Sequence, residues 1–208
     1  MEFCLDLNNL QKILDLIKNY NCKLLPVIKG RDEEDILQIY NEGLREFGEN
    51  RLNELSDHTK FLPEATFHFI APLQSRKLRE IMNSCQFIHT LHRSKEIITI
   101  NKYYQNQDIF VQINVDDDPN KSGIQIKDVD EFFDQFEGLK YFPVGIMCIP
   151  SFNADPKNSF SKMSKINEKL KKDFNNYKGE LSMGMSNDYK IALDYGATII
   201  RIGSKIFN

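Results

Sequence analysis

Residues 24–50 read LLPVIKGRDEEDILQIYNEGLREFGEN, and the alternation inside this one stretch sets the fold. LLPVIK (24–29) is a short apolar run closed by Lys29. RDEEDILQIYNEGL (31–44) opens with an acidic first turn, which suits the positive end of a helix. It places Ile36, Leu37, Ile39, Tyr40 and Leu44 at helical spacing. EFGEN (46–50) begins the next short segment, and RLNELSDHTKFL (51–62) is helical again.

The same rhythm runs to the end of the chain. TFHFIA (66–71) precedes SRKLREIMNS, where Ser75 is placed to cap a helix. FIHTL (87–91) precedes SKEIITINKYYQN, and DIFVQINV (108–115) precedes KDVDEFFDQFEG (127–138), whose last glycine suits a helix C-cap. YFPVGIMCIP (141–150) precedes SFSKMSKINEKLKKDF, ELSMGMS (180–186) precedes NDYKIALDYGA, and TIIRIGSKIF (198–207) comes last. NLQKILDLIKNY adds a helix in front. Strands alternating with helices imply parallel pairing through right-handed crossovers, and about eight such units in about 200 residues match the lower size limit of a (β/α)8 barrel. The expected fold is α/β, a single TIM-like barrel with an extra N-terminal helix. A doubly wound open sheet is the alternative, weakened because no Gly-rich dinucleotide fingerprint follows the first strand. One domain over 1–208 is expected, with 1–22 as an N-terminal helical segment.

Composition excludes several classes. With 27 Lys+Arg against 30 Asp+Glu the formal charge is −3, too acidic for a non-specific nucleic-acid binder. No apolar run approaches the roughly 20 residues of a membrane span, and MEFCLDLNNLQK lacks the basic start and apolar stretch of a signal peptide. Cys4, Cys22, Cys85 and Cys148 are scattered without metal-ligand spacing, so reduced thiols, no metal and a cytoplasmic location are expected.

In a barrel, chemistry collects where strands end. Lys29 ends the first apolar run, where desolvation would disfavour its ammonium and suit it to Schiff-base chemistry. Arg201-Ile202-Gly203-Ser204 ends the last strand, where Gly203 permits close backbone approach and adjacent amides can cradle an anion. Ser186, read as the end of the seventh strand and the start of a helix, adds a hydroxyl to the same corner. A barrel closes its last strand onto its first, so an amine and an anion cradle become neighbours. Pyridoxal 5′-phosphate fits that pair, and so does a sugar phosphate.

Lys29 in LLPVIK, Phe47-Gly48-Glu49-Asn50, His68-Phe69-Ile70 running into Pro72-Leu73-Gln74-Ser75, Lys121-Ser122-Gly123, Gly145-Ile146-Met147, Leu181–Ser186 and Arg201–Ser204 together resemble the pyridoxal phosphate homeostasis protein family, collinearly from about residue 23 to 207. The resemblance implies a barrel like the N-terminal domain of alanine racemase and other fold-type III pyridoxal phosphate proteins. It implies that Lys29 carries the cofactor as an internal aldimine. Ser186 and the amides of Gly203 and Ser204 would hold the phosphate, and Arg201 would face the pyridine nitrogen and discourage its protonation. Asn50 would sit at the cofactor's edge, with Ile70 or Met147 near the ring face. Ser204 stands where threonine is usual, Ala71 where glycine is usual, and Gly30 where threonine is usual.

Racemases of this type add a second domain bearing an opposing acid/base, and here the sequence ends at Asn208. His68 and Cys148 are the substitutes within reach; they read better as a hydrogen-bonded strand histidine and a small core residue. The expectation is therefore a cofactor-buffering protein with no catalytic residue, involved in storage and delivery of pyridoxal phosphate. Its expected partners are the cofactor and apo-enzymes that use it, and a monomer is expected, with no membrane or nucleic-acid partner. A stand-alone amino-acid racemase and a Schiff-base aldolase are the competing readings. Lys121, Met183 and Met185 are expected to be a solvated loop lysine and two core methionines.

Overall fold

The computed structural model describes residues 5–207. Its strands are β1 (Lys23–Pro26), β2 (Glu46–Glu49), β3 (Thr66–Phe69), β4 (Phe87–Leu91), β5 (Asp108–Asn114), β6 (Ile124–Gln125), β7 (Gly145–Cys148), β8 (Glu180–Ser182) and β9 (Ile199–Ile202). The helices are α1 (Leu7–Ile17), α2 (Glu33–Asn41), α3 (Leu52–Phe61), α4 (Leu78–Ser84), α5 (Ser94–Tyr103), α6 (Val129–Asp134), α7 (Pro156–Asp173) and α8 (Tyr189–Asp194). All strand pairs are parallel, in the order β1-β9-β8-β7-β5-β4-β3-β2, with the two-residue β6 attached to β5 outside this path.

The ends of that order meet. Val27 bridges Gly48 in parallel, and the Ile28 amide donates to the Gly48 carbonyl at 3.0 Å, so β1 and β2 nearly close a barrel. This is the (β/α)8 architecture expected from the alternation, and the open sheet is excluded. Most of the core lies between the strands and the surrounding helices. A second, smaller cluster fills the barrel itself: Leu25, Phe110, Val144, Met147 and Ile199 are buried, with Ile70, Phe87 and Ile149 packed against them. Each fully buried side chain of this kind contributes roughly 1.5–3 kcal/mol.

Local chemistry sets the helix boundaries. Asp32 caps α2 by accepting from the Asp35 amide at 2.9 Å, and Glu33, Glu34 and Asp35 form its acidic first turn. α7 starts three residues earlier than the run from Ser159 suggests, because Asp155 accepts from the Lys157 amide and Pro156 presets the first turn. Ser75 does not cap α4; it opens a 3-10 turn, Ser75–Lys77, that leads into the helix. The N-terminal helical segment is shorter than 1–22. Its helix ends at Ile17, a turn follows, and residues 1–4 lie outside the described residues. Leu5 pairs with Phe207, and the Asp6 amide donates to Ile206, which ties this segment to the end of the barrel chain. Among the described residues no helix is long and apolar enough to cross a membrane.

Candidate functional site

Parallel strands all point their C-terminal ends to one rim, and the expected site residues gather there. The Val27 amide donates to the Ile202 carbonyl at 2.8 Å, which seats Lys29 beside the chain entering Gly203. A Cβ built on Gly203 would stand 3.3 Å from the Val27 carbonyl, so only a residue without a side chain sits easily there. Among the described residues, the amides of Gly203 and Ser204 donate to no backbone carbonyl. The Ser204 hydroxyl donates to Ser186 Oγ at 3.2 Å. Two hydroxyls and two uncommitted amides therefore face one small region, which is what an anion requires.

Asn50 and Ile70 come from the neighbouring strands, and the Ile70 amide donates to the Glu49 carbonyl at 2.9 Å. Asn50 Oδ1 is buried without a hydrogen-bond partner among the described residues, so it has an acceptor site to offer. Asn50, Ala71, Pro72 and Gln74 line a cavity of about 360 Å³ at this rim. A larger cavity, about 580 Å³, lies among Phe133, Phe136, Phe142 and Phe174 near the opposite end of the barrel and contains none of the expected residues. Polar chemistry, not size, identifies the candidate site.

Arg201 is buried inside the barrel. Its Nη1 donates to Ser182 Oγ at 2.7 Å and its Nη2 to the Cys148 carbonyl at 2.9 Å, while burial pulls the guanidinium below its ordinary pKa. Ser182 Oγ lies 2.8 Å from His89 Nδ1, and His89 Nε2 lies 2.9 Å from His68 Nδ1. His68 Nε2 is 3.2 Å from Glu46 Oε2, close but bent from a good hydrogen-bond angle, and Lys23 donates to Glu46 Oε1 at 2.7 Å. His68 stacks on Phe87 and His89 on Phe110. Desolvation lowers the pKa of both imidazoles, while contact with His68, more than the Lys23 bond, holds the Glu46 carboxyl at about 2.

These shifts have one sign. Histidines that resist protonation when folded favour unfolding as pH falls below their ordinary value of 6.5. Glu46 adds to this below 4.5, down to about 2. The melting temperature is therefore expected to fall steadily from pH 7 to pH 4, and His89→Phe, which keeps the stacking on Phe110, is expected to flatten the upper part of that curve. Thermal melts at fixed ionic strength read both; a curve that rises toward acid would contradict the buried neutral imidazoles.

Several expectations need correction. Lys29 is exposed at the rim, so the desolvation expected of it is absent. Ser186 neither ends a strand nor starts a helix. β8 ends at Ser182, and Ser186 lies in a turn before α8, where the Met185 amide donates to Asp188 Oδ1 at 2.6 Å. Met183 is core, but Met185 is 36% exposed because it lies past the strand. Met147 is wholly buried in the barrel filling, which leaves Ile70 as the half-exposed side chain at the rim. Lys121 is half-buried, not solvated: its ammonium donates to the Ile149 carbonyl at 3.3 Å and to that of Pro150. Cys148 is buried, and burial pushes its thiol up to about 12. The sequence alone does not single out His89, Ser182 and Glu46; their signal is a polar residue among the inward-facing positions of β2, β4 and β8, on strands whose other inward positions include apolar side chains such as Phe87.

The fold and rim define a class, the alanine racemase type of α/β barrel. Over residues 7–208 the chain matches the family described as alanine racemase, N-terminal domain. It is 34% identical over 198 residues to the pyridoxal phosphate homeostasis protein of Aquifex aeolicus, covering 90% of this chain and 87% of that one. PipY of Synechococcus elongatus, whose structure has been solved with PLP bound, superposes with a TM-score of 0.85 at 25% identity, over 96% of this chain and 100% of that one. Alanine racemase of Corynebacterium glutamicum shares the fold alone, with a TM-score of 0.77 at 12% identity, and this chain spans 61% of its length. The chain belongs to the pyridoxal phosphate homeostasis protein family.

Proposed function

We propose that this chain binds pyridoxal 5′-phosphate at the C-terminal rim of its barrel and serves to take up, store and release it, without appreciable turnover of amino acids. The supporting observation is the Ser186–Ser204 hydroxyl pair beside the uncommitted amides of Gly203 and Ser204, at the same end of the barrel as exposed Lys29 and the buried Arg201 guanidinium. The names of the relatives and the bound ligand of PipY support it. Lys29 would hold the aldehyde through its amine. Ser186, Ser204 and the amides of Gly203 and Ser204 would hold the phosphate. Asn50 Oδ1 would accept from the ring substituent, and Ile70 would cover a face.

When bound, the cofactor supplies an electrophilic carbonyl and an electron-withdrawing ring. Arg201 would face the ring nitrogen as a donor that gives up no proton, leaving that nitrogen unprotonated and the ring a weaker electron sink. Neither other acid/base candidate is free at the rim: His68 points into the barrel and is engaged with His89, and Cys148 is a buried thiol in the core between strands and helices. An exposed amine at an open rim favours exchange over catalysis. The same reading places the protein in the cytoplasm as a single-domain monomer whose partners are apo-enzymes that use the cofactor.

The competing racemase reading draws on the fold shared with alanine racemase. Loaded protein incubated with single amino-acid enantiomers separates the two. No saturable inversion, transamination or decarboxylation is expected; turnover on the order of 1 per second, ordinary for an enzyme, would establish the racemase instead.

A further inference from the structure

We propose that Glu46, His68, His89 and Ser182 are positioning residues: a one-directional hydrogen-bond chain from Arg201 through Ser182 and His89 to His68, with the Glu46 carboxylate in close electrostatic contact at its far end, fixes the Arg201 guanidinium at the cofactor rim. That Arg201 meets the cofactor rests on the reading above; the chain itself rests on the geometry within the barrel.

Its direction is set at both ends. A guanidinium only donates and a carboxylate only accepts. Arg201 Nη1 donates to Ser182 Oγ, so the serine proton is free for His89 Nδ1, 2.8 Å away. His89 then carries its proton on Nε2 and donates to His68 Nδ1 at 2.9 Å. His68 in turn carries its proton on Nε2, facing Glu46 Oε2 at 3.2 Å in an electrostatic contact whose angle falls short of a hydrogen bond. The reverse sense would set the His68 lone pair against the carboxylate. His68, His89 and Ser182 are each 0% exposed, so water cannot re-pair the chain, and a broken link would leave a buried polar group unsatisfied. The lowered pKa values of both imidazoles agree with two neutral rings.

The chain also runs the length of the barrel. Glu46 lies at the start of β2 and lines a cavity of about 310 Å³ with Lys23, Asp108, Lys178 and Glu180. Arg201 lies near the end of β9. A change at one mouth is therefore transmitted to the guanidinium at the other.

Two-bond 1H–15N correlations on the purified full-length apo protein read the tautomers directly. Both histidines are expected as Nε2–H, and the Arg201 Nη signals are expected to be resolved, with restricted rotation. Ser182→Ala is expected to merge those Nη signals. Glu46→Gln, whose amide can donate or accept, is expected to populate Nδ1–H at His68 and to raise pyridoxal phosphate release several-fold, although it lies at the far mouth. An Nδ1–H tautomer at either histidine of the unmodified protein would overturn the proposal. So would a folded Glu46→Gln variant with unchanged tautomers and release rate. If the cofactor fails to bind while both rings read Nε2–H and Ser182→Ala frees Arg201, the functional reading falls and the chain stands.

Discussion

Lys29→Ala is expected to abolish any borohydride-stable link between protein and pyridoxal phosphate and to leave the barrel folded. This expectation follows from the place of Lys29. It lies past β1, which ends at Pro26, in a turn outside the strand hydrogen bonding, and its side chain is exposed at the rim. Removing an exposed side chain away from the core ordinarily changes stability by no more than about 0.5 kcal/mol. A covalent link through Lys29, by contrast, would have no substitute at that position. The ammonium of Lys121 is committed to the carbonyls of Ile149 and Pro150. Peptide mass mapping after reduction checks the result. Trapping at Lys121 or another lysine, with Lys29 unmodified, would reassign the attachment point.

Gly184→Ala is expected to destabilise the protein by about 2–5 kcal/mol. Gly184 has φ +94°, where a side chain costs about 1–2 kcal/mol. A Cβ there would stand 2.7 Å from Ala192 Cβ and 3.0 Å from Tyr189 Cα, and overpacking adds about 1–3 kcal/mol. For a chain of this size the melting temperature should drop by roughly 4–20 °C. The Gly184 carbonyl also accepts from the Arg201 amide at 2.9 Å, so the distortion falls on the strand that carries the guanidinium. An unchanged melting temperature would show that the turn into α8 relaxes without cost.

The strands were legible because buried parallel strands read as nearly unbroken apolar runs, such as DIFVQINV and TIIRIGSKIF. Closure was not legible, since alternation says nothing of the Val27–Gly48 bridge that joins the sheet's two edges. Ser186 was misplaced for a related reason: the apolar pattern of ELSMGMS continues past Ser182, while the backbone leaves the strand toward the positive φ of Gly184. Lys29, Asn50 and the 201–204 segment are legible as lying at or just past strand ends, because the barrel fixes which ends share a rim. His89 and Ser182 are not. A polar residue in a strand of three to five residues looks like an interruption until the register shows that it points into the barrel beside another.

Titration of the apo protein with pyridoxal 5′-phosphate, followed by absorbance and compared with pyridoxal, tests most directly whether this rim holds the cofactor by both its aldehyde and its phosphate. One equivalent is expected to saturate a band near the violet edge of the spectrum, with pyridoxal binding poorly. Ser186→Ala removes one hydrogen bond to an anion, worth about 1.5–3 kcal/mol, and should weaken pyridoxal phosphate roughly ten-fold to a hundred-fold. Pyridoxal should be less sensitive to that substitution. No band, or equal affinity for both compounds with no effect of Ser186→Ala, would contradict the assignment.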